Sequence, residues 1–125
     1  MSTIPSLIGA SLLLAFSVCH ARAASPTQAV SWTQTGRASF YANFWQGRRT
    51  ASGARFDNRE LTAAHPWLPF GTRVRVMVEE TGREVVVTIT DRIFYNHRVL
   101  DLSQRAARLL GITRQGIAQV VITPE

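Results

Sequence analysis

Three polar positions stand out by residue type and by where they fall against apolar runs: His65, Asp91 with Arg92, and Asp101. Asp91 ends a long β-branched stretch, so its carboxylate is expected at the rim of a strand, where a ligand can reach it. Partial burial raises the proton affinity of a carboxyl group, which suits one placed there to general acid work. His65 closes a short apolar run before Pro66, which biases it to extended geometry. A histidine within hydrogen-bond distance could hold the acid or polarise a substrate. Tyr41, Phe44, Trp45, Trp67, Phe94 and Tyr95 gather around the same segments, beside Arg-rich stretches. Such rings suit sugars, whose C–H faces stack on them while the hydroxyls find polar partners.

Plainer readings apply to each position. Asp91-Arg92 also reads as an ion-paired strand end, and Asp101 as an acceptor near the start of a helix at Ser103. His65 could simply bond backbone at a barrel corner, and His97 reads as an exposed loop residue. Phe70 is expected in the core, whereas Phe44 and Trp67 are divided between core and cleft. His65, Asp91, His97 and Asp101 lack any H-x-x-H or H-E-x-x-H spacing, so no metal or other cofactor is expected. Ser39, Ser52 and Ser103 have no base beside them, and the single cysteine is Cys19, which leaves nucleophilic acyl chemistry without support.

The elements that must position these groups follow from patterning. The chain has 125 residues, with 46% hydrophobic and 18% charged residues, an ordinary globular balance for one domain. All 14 basic residues are Arg against 8 acidic ones, giving +6 and a pI near 11.2. The uncharged run 7–18 would span only ~18 Å as a helix, against a hydrocarbon core of ~30 Å. It reads as the core of a secretory leader, 1–23, cut after Ala21-Arg22-Ala23. Lipidation at Cys19 is the competing reading, set back by the poor lipobox Phe16-Ser17-Val18. A basic exported chain meets anionic wall polymers rather than nucleic acid, for which no motif is present.

A flexible connector is expected over 24–35 and one barrel domain over 36–125. Strands are expected at 36–42, 61–65, 72–78, 84–91, 99–102 and 117–123. The strongest pair is the hairpin in which Val74, Val76 and Val78 alternate with arginines and 84–91 is β-branched at most positions. Residues 43–58 read as a long binding loop. Ser103 is expected to cap a two-turn helix, 104–110, stopped by Gly111, with Leu102, Ala106, Leu109 and Leu110 on its buried side. Many short strands with short connections predict a small closed all-β barrel.

Several ordered motifs then carry a resemblance: Gly36-Arg37-Ala38-Ser39-Phe40-Tyr41, Gly47-Arg48-Arg49-Thr50-Ala51-Ser52-Gly53, Leu61-Thr62-Ala63-Ala64-His65, Leu68-Pro69-Phe70-Gly71-Thr72-Arg73-Val74-Arg75-Val76, Asp91-Arg92 and Asp101-Leu102-Ser103. The array resembles the RlpA (rare lipoprotein A) family of septal-ring lytic transglycosylases over nearly all of 36–123. The resemblance implies a mainly β fold, a six-stranded double-psi β-barrel with one or two short helices. It implies endolytic cleavage of peptidoglycan glycan strands, preferably peptide-free, to 1,6-anhydromuramoyl ends, in an exported, periplasmic or envelope protein. Asp91 and His65 match the family's functional pair, with Tyr41, Trp45, Arg92, Phe94, Tyr95 and Asp101 as substrate-binding candidates. The expected partners are glycan strands and septal-ring proteins, around a monomer. No C-terminal SPOR domain is expected. The sequence departs from the family at the cleft, where Ala54 replaces a glutamate and Ile93-Phe94 a Gly-Pro. A non-catalytic, expansin-like glycan-binding or wall-loosening barrel is the alternative.

Overall fold

The computed structural model describes residue 3, residues 31–94 and residues 97–125. All but residue 3 of the expected leader, with its cleavage site and Cys19, most of the 24–35 connector and Tyr95 lie outside the described residues. Among the described residues the strands are β1 (Gln34–Phe40), β2 (Thr62–Ala64), β3 (Arg73–Val78), β4 (Glu84–Asp91), β5 (Leu100–Leu102) and β6 (Ala118–Pro124), with one helix, α1 (Gln104–Leu110), and a 3₁₀ turn at Asn43–Trp45. The strands close into a barrel in the order β1-β5-β2-β4-β3-β6, which leaves no free edge. Two neighbouring pairs, β1·β5 and β2·β4, are parallel; the other pairs are antiparallel.

Alternation builds the regular half. β3 buries Val74, Val76 and Val78, and β4 buries Val85, Val87 and Ile89. The two pair from Arg73↔Thr88 to Met77↔Glu84, with the Arg75–Glu84 ion pair at 3.1 Å on the outer face. Gly82 takes φ 72° in their connection, a left-handed geometry that only glycine adopts cheaply. Leu100, Leu102, Val120 and Ile122 complete the interior with Ile112 and Leu110. β1 begins at Gln34, two residues before the expected boundary, and Trp32 packs against the core. Gly36 is required by close approach: a Cβ there would lie 2.5 Å from Val99 Cγ1.

The helix forms where its caps predict. Ser103 accepts from the Ala106 N–H and donates to the Glu60 carbonyl, while Gly111 returns its N–H to Ala107 and Arg108. Leu109, expected in the core, is 53% exposed. At ~100° per residue, Ala106, Ala107 and Leu110 span one arc, and Leu109 falls beyond its opposite flank. Phe70 is also a correction. It lies outside the barrel in the bend before β3, 42% exposed, with the Arg92 guanidinium 4.1 Å above its ring centroid.

Candidate active site

The regular pattern of β4 breaks at its last residues. β2 advances one residue, from Ala63 to Ala64, while its partner on β4 advances from Ile89 to Asp91. Thr90 is thus the extra residue of a β-bulge, the device that re-aims side chains at barrel rims. The bulge also frees the Thr90 carbonyl, which accepts from the Ser52 N–H at 3.2 Å. That contact docks the 43–58 segment on the mouth of the barrel.

The long loop over 43–58 is held in a defined shape by its own hydrogen bonds. Arg49 and Arg55 form an isolated antiparallel bridge, and Gly47 and Phe56 sit on a hydrogen-bonded ladder around it. The Thr50 N–H and hydroxyl both reach the Ala54 carbonyl across the tip. Asp57 accepts from the Arg59 backbone and guanidinium and from Gln46, and these donors hold its carboxyl well below the usual range. The result is a miniature hairpin that presents the Ala51 N–H to Asp91.

Three donors converge on Asp91. Its Oδ1 accepts from the Ala51 N–H at 2.8 Å and the Arg92 N–H at 2.9 Å; its Oδ2 accepts from the Tyr41 hydroxyl at 2.6 Å. Tyr41 enters from the end of β1, stacked on buried Phe56 with centroids 4.2 Å apart. Burial first, then the hydrogen bond to Asp91 and the negative charges of Asp91 and Asp101, push its phenol far above the ordinary range. One face of the Tyr41 ring is therefore taken by Phe56.

Asp101, Ala64 and Asp91 stand abreast on β5, β2 and β4. Two strand spacings put the aspartate Cα atoms roughly 10 Å apart. Asp101 accepts from Ser39 Oγ and pairs with Arg98 at 3.4 Å, while Arg98 also donates to Ser39 at 2.6 Å. Its carboxylate belongs to this three-residue cluster and makes no hydrogen bond to the helix start, where Ser103 and Asn58 supply the acceptors.

A cleft of about 440 Å³ opens over these groups, a size suited to part of a saccharide chain. Tyr41, Trp45, Asp91, Arg92, Phe94 and Asp101 all line it, together with Ile93. Phe94 is 86% exposed, whereas Ile93 is buried beneath. Ala54 is not among the lining residues. Phe44 and Trp67, divided between core and cleft by their sequence context, are exposed and lie outside the lining.

His65 sits elsewhere. It is fully buried, its Nδ1 accepts from the Trp67 and Leu68 N–H groups at 3.2 and 3.1 Å, and its Nε2 lies 2.7 Å from Gln34 Oε1. Two donors on Nδ1 place the ring proton on Nε2, which donates to Gln34. Burial, and then the Arg92 charge, push the imidazole down to about 4. None of these ring contacts is to the Asp91 carboxyl. The connection runs through the main chain: the His65 N–H donates to the Asp91 carbonyl at 3.1 Å, and Arg92 Nη1 reaches the His65 carbonyl at 3.4 Å. His65 thus fixes the strand ends on either side of the acid and does not touch it.

A closed six-stranded barrel with two parallel strand pairs is the architecture of the double-psi β-barrel class. Residues 33–122 match the double-psi barrel family described as lytic transglycolase, and the chain belongs to that family. It is 40% identical over 108 residues to the endolytic peptidoglycan transglycosylase RlpA of Neisseria meningitidis serogroup A, covering 86% of this chain and 45% of that one. It is 51% identical over 88 residues to the probable endolytic peptidoglycan transglycosylase RlpA of Synechocystis sp., covering 70% of this chain and 27% of that one. The chain thus spans less than half the length of these relatives. Among solved structures, apo Clavibacter michiganensis expansin superposes with a TM-score of 0.58 at 27% identity, covering 75% of this chain and 51% of that one. The Streptomyces papain inhibitor shares the fold, with a TM-score of 0.61 at 23% identity over 75% of this chain and 96% of that one.

Proposed function

We propose that this barrel is an endolytic lytic transglycosylase that cleaves peptidoglycan glycan strands, with Asp91 as its acid and base. The observation that carries the reading is that, of the two aspartates in the cleft lining, only Asp101 is held in an ion pair among the described residues, with Arg98 at 3.4 Å. Asp91 lies in the lining with its orientation fixed by two backbone N–H groups, whereas Asp101 is engaged by Ser39 and Arg98. Two-carboxylate glycosidases need a free partner at a set distance to activate water or form a covalent intermediate. One carboxyl group suffices if the nucleophile belongs to the sugar itself.

The protonated Asp91 donates to the glycosidic oxygen between N-acetylmuramic acid and N-acetylglucosamine as the C1–O bond breaks. The muramoyl 6-hydroxyl attacks C1 and gives its proton to the Asp91 carboxylate, which restores the acid. A 1,6-anhydro ring forms and no water is consumed. Trp45 and Phe94 offer surfaces for the flanking sugars, Arg92 meets their polar groups, and Tyr95 is assigned the same role from its place in the sequence. His65 acts as a positioning residue. Such a substrate puts the protein in the cell envelope, reached by the expected leader, with septal-ring proteins as further partners.

Incubation with peptide-free glycan strands, followed by mass spectrometry, tests the reading: new 1,6-anhydro ends are expected. The second reading is a glycan-binding barrel without catalysis, favoured by the likeness to expansin. Strand binding with no new chain ends would establish it.

A further inference from the structure

The two oxygens of Asp91 are not equivalent. Oδ1 accepts from two main-chain N–H groups, Ala51 at 2.8 Å and Arg92 at 2.9 Å. Neither group can accept a proton, so both lone pairs of Oδ1 are committed. A proton carried by this carboxyl group resides on Oδ2. There the one hydrogen bond among the described residues comes from the Tyr41 hydroxyl at 2.6 Å, which uses one lone pair and leaves the other for a substrate. Tyr41 is itself immobilised: its ring stacks on Phe56, its N–H donates to the Leu102 carbonyl at 2.9 Å, and its carbonyl accepts from Gln104 at 3.1 Å.

We propose that Tyr41 is a positioning residue that makes Oδ2 the proton-transferring oxygen of Asp91 and stabilises the carboxylate as it forms. This rests on the transglycosylase reading above. While Asp91 is protonated, Tyr41 donates a neutral hydrogen bond to Oδ2. As the proton passes to the departing glycosidic oxygen, negative charge grows on Oδ2 and the same bond becomes charge-assisted, which roughly doubles its strength. The gain appears only in the transition state and therefore raises kcat without tightening binding. The 6-hydroxyl proton then returns to Oδ2, and the bond becomes neutral again. The phenol keeps its own proton throughout, in accord with burial and the neighbouring carboxylates that hold it far above its ordinary value. A sugar-stacking residue would instead act on ground state and transition state alike.

The test is Tyr41→Phe, which keeps the ring on Phe56 and removes only the hydroxyl, assayed for 1,6-anhydro ends on peptide-free glycan strands. The expected result is a fall in kcat of about 10²-fold, the effect of losing one donor to a developing anion, with KM unchanged. Replacement of Tyr41 by 3-fluorotyrosine, a stronger donor, is expected to raise kcat, and this arm stands even where Tyr41→Phe folds poorly. A raised KM with unaltered kcat, or no change with either substitution, overturns the proposal and leaves the functional reading intact. Wild-type protein that makes no anhydro ends overturns the functional reading and the proposal with it.

Discussion

The two ends of β4 obey different rules. From Glu84 to Ile89 the strand alternates regularly, pairs with β3 through a connection of five residues, and buries Val85, Val87 and Ile89. From Thr90 to Asp91 it bulges, leaves that pattern and takes its contacts from far along the chain. Tyr41 is 50 residues away and Ala51 is 40. The regular end is held by apolar burial, which is non-directional and tolerates exchange of similar side chains. The bulged end is held by a few directed hydrogen bonds to one carboxylate. Stability and chemistry are thus separated along a single strand, and substitutions at the two ends should fail in different ways.

The sharpest break of that contrast is Asp91→Asn. The amide oxygen still accepts from Ala51 and Arg92, so the thermal midpoint should stay close to wild type. Formation of anhydro ends should fall ~10²–10⁴-fold, the worth of a positioned acid/base group. Cleavage at the wild-type rate by the folded variant would move the chemistry to Asp101. At the regular end the pattern inverts. Ile89→Ala removes a fully buried side chain and should cost about 2–5 kcal/mol in urea unfolding, with kcat of the folded fraction little altered.

Between these ends lies His65, whose main chain braces the bulge. It titrates at about 4 in the fold, against 6.5 for an ordinary histidine. The unfolded chain therefore takes up a proton first as pH falls. Stability fully present above pH 6.5 declines on the way down to pH 4, by roughly 3 kcal/mol at most. Urea midpoints measured across that window should drop for wild type and drop less steeply for His65→Gln. The smallest effect belongs to Ala54→Glu. Ala54 lies on the docked hairpin but outside the cleft lining, so the new carboxylate should change the cleavage rate by about tenfold or less, ~1.4 kcal/mol in the barrier. A larger gain would show that the hairpin tip closes over bound substrate.

Much of the barrel was legible beforehand for a definite reason. Alternation in 72–78 and 84–91, the Ser103 cap and the Gly111 stop are local signals, each read within a few residues. The motif order carried the family and with it the closed six-stranded topology. Local patterning misjudged Phe70, because an aromatic beside proline and glycine can face either way, and Leu109, because a two-turn helix offers too few positions to fix its buried arc.

The site was legible as residue types and not as an arrangement. The sequence alone marked Asp91, Asp101 and His65 as groups able to do chemistry and surrounded them with aromatic residues. Only the tertiary structure separated them: Asp91 at the cleft with three donors, Asp101 bound to Ser39 and Arg98, His65 buried against Gln34. Phe56 under Tyr41, and the Ala51 N–H on Asp91, had no sequence signal at all. The physical reason is range. Strand period, capping and turn geometry act between neighbours along the chain. Hydrogen bonds across 31, 40, 50 or 62 residues exist only once barrel closure has brought those segments together.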